Sequence, residues 1–201
     1  MTTSRIGFPS AWSKLCQRER GRKRTSGDKG SRDLNRAAAR YRLASLFNGI
    51  DLKPPGSKQL AAGYAAGVRL LLAYSAYESM LRAMGKPPIT RPPISGSKLQ
   101  ASATHALREC LLAKPKVGKL LQSDAEPKLS GKVKQFINGD DDQLFTAARA
   151  LRHLIAHGNW SAWGGGAETA CGRKALKLVA EYLLEETDLL FDEVLRAFKR
   201  D

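Results

Sequence analysis

The sequence predicts an all-α fold: an antiparallel bundle of about four to five main helices, with a long proline-rich loop and a basic N-terminal arm. Three observations carry this. Apolar residues recur three, four and seven apart over most of the chain, the period of a helix that packs by one face. The periodic runs open on serine or aspartate and close on glycine, the chemistry of helix ends. No segment alternates apolar and polar residues as a half-buried strand does.

In chain order, residues 1–31 are set apart. Residues 1–30 carry a net charge of +6, few apolar residues and frequent glycine and serine. Such a segment buries too little surface to offset its ordering entropy, so a solvated arm is expected. Its charge also suits it to nucleic acid, and Trp12 could stack on a base. Residues 32–201 form the helical domain. A first helix is expected from Arg32 to Phe47, capped by Ser31 or Asp33 and stopped by Asn48-Gly49. After the loop Lys53-Pro54-Pro55-Gly56, Ser57 caps a long helix to about Met84, ended by Gly85. Leu70 to Ala73 with Tyr74 and Tyr77 give it the broad apolar face of a central helix.

Lys86 to Ser97 carries four prolines and must be irregular. A helix over Lys98 to Ala113 follows, then a broken stretch with short helical turns from Lys114 to Ser130, and a short helix over Lys132 to Asn138. Asp140 or Asp141 caps a helix ending near His157. A glycine-rich loop, Ser161 to Ala167, leads to a last helix from about Glu168 to Lys199.

At 201 residues the chain is long enough for one domain with a real core. Its formal net charge of +15 and pI near 10 imply an anionic partner, most simply nucleic acid. The charge is segregated, because residues 181–201 carry a net −4. A polyanion would therefore avoid the outer face of the last helix. Three widely spaced cysteines, Cys16, Cys110 and Cys171, argue against a disulfide framework and for a reducing compartment. No signal peptide or membrane span is expected, since Arg69, Glu78 and Arg82 interrupt the most apolar stretch. The expected location is cytoplasmic, with no membrane partner.

One stretch concentrates the chemistry: Leu151-Arg152-His153-Leu154-Ile155-Ala156-His157-Gly158-Asn159-Trp160, which holds two of the three histidines. On a helical wheel Leu144, Ala148, Leu151 and Ile155 form the core stripe. Measured from Leu144, Arg152 lies at about 80°, Arg149 at about 140°, His153 at about 180° and His157 at about 220°. These four form a basic face turned from the stripe. Taken alone, that face is equally the solvent side of an amphipathic helix. A metal reading also exists, since His153 and His157 stand at the i,i+4 spacing of zinc-binding helices. Leu154 occupies the position where that motif needs glutamate, and a third ligand would have to come from His105, Glu168 or Cys171. The expectation is no metal and no cofactor.

The string Leu-Arg-His-Leu-Ile-Ala-His-Gly, on the penultimate long helix of a basic all-α chain, resembles the HEPN superfamily of ribonucleases. The mark of that family is arginine, a polar residue, three residues and histidine, often continued as Ala-His-Gly. Ser75-Ala76-Tyr77-Glu78-Ser79-Met80-Leu81 is similar to the acidic stretch on an earlier helix of the family. The resemblance covers residues 32–201 and is specific over the one motif. It implies a metal-independent endoribonuclease that uses the 2′-OH beside the scissile phosphate, a group only RNA has. It implies Arg152 as transition-state stabiliser, His157 as acid–base group and His153 as an orienting residue. Arg149, Asn159 and Trp160 are RNA-binding candidates, with Trp160 either stacking a base or packing the loop. Glu78, on an apolar helix, should pair with Arg82 or Arg152. The family's sites are composite across a homodimer. Many members are toxins of toxin–antitoxin pairs or antiviral effectors, so an antitoxin protein is an implied partner. The alternatives are a non-catalytic RNA-binding or interaction module of the same fold, and a basic helical DNA-binding protein, which no helix-turn-helix spacing supports.

Overall fold

The computed structural model describes residues 7–21, 29–51, 57–85, 98–123, 127–140, 143–160 and 166–197. Eight helices and no strand are found among them: α1 Trp12–Gly21, α2 Lys29–Leu46, α3 Lys58–Ala83, α4 Lys98–Ala113, α5 Pro115–Ser123, α6 Pro127–Asn138, α7 Leu144–Ala156 and α8 Ala170–Ala197. The fold is all-α. The proline-rich stretch 86–97, residues 1–6 and 22–28, and the glycine loop 161–165 with Trp163 lie outside the described residues.

α3 is the central element and follows its sequence signals closely. Ser57 is its N-cap, and the Ser57 hydroxyl accepts the Leu60 N–H at 3.1 Å. At the other end the Met84 N–H bonds back to Met80, and Gly85 takes a positive φ of 65°, a backbone state glycine adopts without steric cost. Gly63, Gly67, Leu70, Tyr74, Tyr77 and Leu81 are all buried along α3. Their spacing of four, three, four, three and four keeps them on one side of the helix. The most extensive packing joins α2 to α3, α3 to α8 and α4 to α8. α7 is held by α3, α4, α5 and α6 together.

Three expectations need correction. The segment ahead of residue 32 is not a solvated arm where the structure describes it. Ala11, Trp12 and Leu15 are buried in the core cluster. Trp12 stacks on Phe8 at 5.8 Å and meets the edge of Phe191 on α8 at 6.0 Å. The Ser10 N–H donates to the Asp188 carboxylate at 2.6 Å. A few apolar side chains suffice here because Trp12 finds a partner on α8, which local composition does not reveal.

The second correction concerns the start of α7. Asp140 is exposed and outside the helix; its N–H instead closes α6 onto the Gln135 carbonyl. Gln143 is the N-cap, without a side-chain hydrogen bond, and Asp141 lies outside the described residues. The third concerns the core stripe of α7, which is wider than one row. Leu144 to Ala148 are all buried, as are Ala150, Leu151 and Leu154, whereas Ile155 is half-buried. Packing from four other helices narrows the solvent side of α7, on which Arg152 and Ala156 remain exposed. No helix among the described residues is long and apolar enough to cross a membrane.

Candidate functional site

The end of α7 is shaped by backbone chemistry before any side chain acts. His157 is the C-cap, and Gly158 follows at φ +74°. The Gly158 N–H bonds to the Ile155 carbonyl at 3.1 Å and the Asn159 N–H to the Leu154 carbonyl at 2.9 Å. This is a Schellman ending, which needs a left-handed residue and therefore selects glycine. The histidine–glycine pair thus fixes where the helix stops and leaves the His157 side chain exposed at the tip.

His153 lies one turn back. The two imidazole centroids are 4.3 Å apart with planes inclined at 54°. His153 also lines a hollow of about 150 Å³ with Arg149, Ala150 and Arg152 of α7, Tyr74 and Glu78 of α3, and Leu129 of α6. Arg152 is exposed, and its guanidinium carbon stands 5.8 Å from the centre of the Tyr74 ring. Tyr74 is buried and stacks on Phe145 at 5.9 Å, with planes 11° apart. The arginine therefore rests near a fixed aromatic platform, where the ring's electron-rich face favours a cation.

Of the two basic partners considered for Glu78, Arg82 holds it, with an Nη2–Oε1 distance of 3.0 Å. Arg152 shares the hollow with Glu78 without pairing to it among the described residues. Two guanidinium groups and an imidazole thus face a cavity whose one carboxylate is already engaged from outside. The balance around the hollow favours an anion.

The structure brings Arg149, Arg152, His153 and Glu78 together and keeps His157 adjacent. It separates Trp160 from them. Trp160 is 4% exposed and belongs to the core cluster, so its role as a base-stacking residue is withdrawn; the indole packs the turn after α7 against the bundle. Asn159 is exposed beside His157 in the chain, with its N–H used in the helix ending.

The candidate third metal ligands are engaged elsewhere. His105 pairs with Glu109 at 3.4 Å, the Glu168 carboxylate accepts the Gly166 N–H at 2.9 Å, and Cys171 lies beside Cys110. No cluster of three or more histidine, cysteine, aspartate or glutamate side chains suited to a metal is found among the described residues.

Sequence reasoning missed Tyr74 and Leu129 as walls of the site. Tyr74 had a signal, since it stands at i−4 from Glu78 and so on the same side of α3; Leu129 had none. A larger hollow of about 370 Å³, between the end of α2, α3 and the start of α8, shares no residue with the motif. It has an alanine-lined wall with Arg69, Arg173 and Lys177 around it.

No family model matches the chain, and neither does any curated protein or solved structure.

Proposed function

We propose that the chain is a metal-independent endoribonuclease that cleaves RNA through a site shared between two copies. The observation that carries this reading is the grouping of Arg152 and His153 around one hollow, with the His157 ring one turn along, its centroid 4.3 Å from that of His153. The residue types match the needs of 2′-OH attack. An imidazole accepts the hydroxyl proton and returns one to the leaving 5′-oxygen near neutral pH. A guanidinium stabilises negative charge as it builds on the phosphoryl oxygens. His157, exposed at the helix tip, takes the acid–base role, Arg152 the electrostatic one, and His153 positions the phosphate or its neighbouring ring. The products are a 2′,3′-cyclic phosphate and a 5′-hydroxyl.

The exposure of Arg152 and His157 supports a composite site. Neither is enclosed by its own bundle, and a second copy would supply the missing wall and exclude water. By the resemblance of the motif, the cellular role is that of a toxin restrained by an antitoxin protein, or an antiviral effector.

Incubation of the purified protein with RNA in EDTA tests the reading. Cleavage leaving cyclic phosphate ends is expected. Cleavage only with added metal overturns the mechanism. Tight, salt-sensitive binding without cleavage moves the assignment to an RNA-binding module.

A further inference from the structure

Cys110 and Cys171 are 61 residues apart in sequence, yet their sulfurs lie 3.4 Å apart. Both are free thiols. Cys110 is on the last turn of α4 and 1% exposed, whereas Cys171 is the second residue of α8 and only half-buried. One residue of the pair reaches the surface and the other does not.

Their surroundings divide the chemistry further. Thr169 caps α8, its hydroxyl accepting the Gly172 N–H at 3.1 Å and standing 3.3 Å from the Cys171 sulfur. A cysteine in the first turn of a helix sits in the positive end of the helix field, which favours the thiolate. Burial pushes the Cys171 thiol up, but hydrogen bonding with Thr169, Cys110 and the Gly172 N–H, with the charge of Lys114, outweighs it and leaves the group below its ordinary value. Burial, helped by the adjacent sulfur, pushes Cys110 up to about 12. The pair therefore combines an accessible, ionisable sulfur with a shielded thiol in contact.

We propose that Cys110 and Cys171 form a redox-reactive dithiol that takes a hydroperoxide as its oxidant and closes to a disulfide between α4 and the start of α8. The Cys171 thiolate attacks the terminal oxygen of the hydroperoxide. The O–O bond breaks, the alkoxide leaves and picks up the proton Cys171 released, and Cys171 becomes a sulfenic acid. The Cys110 thiol then gives up its proton and attacks the Cys171 sulfur, displacing hydroxide, which leaves as water. Two thiols and one hydroperoxide become one disulfide, one alcohol and one water, a two-electron oxidation of the protein. The sulfurs need close only from 3.4 Å to the bonding distance of about 2.05 Å. Sulfenic acid formation followed by condensation with a neighbouring thiol is the ordinary fate of an exposed, acidic cysteine with a partner. This inference does not depend on the ribonuclease reading.

The test uses the full-length reduced protein with one equivalent of hydrogen peroxide. Denatured thiol titration should fall from three thiols to one, with Cys16 the survivor. Tryptic mass spectrometry should show a linked Cys110–Cys171 peptide pair that dithiothreitol separates. In Cys110→Ser, dimedone should label Cys171 as the stranded sulfenic acid. Three thiols retained in the wild type, preferential loss of Cys16, or disulfides found only between chains would each overturn the proposal. The wild-type measurement needs no variant to fold.

Discussion

The imidazoles of His153 and His157 stand one helical turn apart, with their ring centroids 4.3 Å apart. If the proposed mechanism holds, the two differ in importance. His157→Ala should lower kcat about 100- to 10,000-fold, the usual worth of a general acid–base group. Arg152→Ala should cost about 100- to 1,000-fold through loss of a donor to the developing charge. His153→Ala should cost less than either. Single-turnover cleavage of a labelled RNA, with circular dichroism to check the fold, separates these outcomes. Equal activity in all three variants would remove the site.

Two glycines should respond oppositely to alanine. A Cβ at Gly172 would lie 2.0 Å from the Gly166 carbonyl oxygen, so Gly172→Ala must push backbone apart and should cost about 1–3 kcal/mol. A Cβ at Gly67 would meet only Ile155 Cγ2 at 3.5 Å, an ordinary contact, so Gly67→Ala should stabilise α3 by about 0.5–1 kcal/mol. Urea denaturation midpoints of the two variants should move in opposite directions.

Trp12 is 7% exposed and wedged between Phe8 and Phe191. Trp12→Ala should destabilise by about 3–5 kcal/mol, as for other buried aromatics cut to alanine. A solvated arm would show no change, so the unfolding midpoint decides between the two pictures directly.

Asp188 makes part of the N-terminal attachment sensitive to pH. Burial raises its carboxyl above the ordinary value, only partly offset by the Ser10 hydrogen bonds, with Asp192 adding to the rise. The folded protein therefore holds this proton more tightly than the unfolded chain. The resulting stability is fully present below the unfolded value of about 3.9 and is lost as pH rises through the folded value. Asp188→Asn keeps an oxygen to accept the Ser10 N–H and removes the ionisation. Its urea midpoint should change less with pH across the mildly acidic range than that of the wild type. Parallel profiles would show that the carboxyl is not linked to folding.

Legibility in the sequence followed the range of the interactions. α3 and α4 were legible almost to the residue, because Ser57, Gly85 and the breaks after Met84 and Ala113 act within a few positions of themselves. The start of α7 was not, because Asp140 and Asp141 both offer caps, whereas the helix starts after Gln143, where Leu144 and Phe145 are buried by other helices. Trp12 was obscured by the charge around it, and only its meeting with Phe191 makes it core. At the site, the wheel grouped Arg149, Arg152, His153 and His157 because they share one helix. It could not exclude Trp160, whose burial is set beyond the end of that helix, nor join Cys110 to Cys171 across 61 residues.

The hydrogen bond from Ser10 to Asp188 spans 178 positions of the chain. A ribosome makes Ser10 and Trp12 long before Asp188 and Phe191, and must finish most of α8 before either has that partner. Contacts this distant in sequence form late and slow the overall rate of folding. Trp12 therefore lacks Phe191 until most of α8 has been made, a window in which a nascent chain is open to chaperones and to proteolysis.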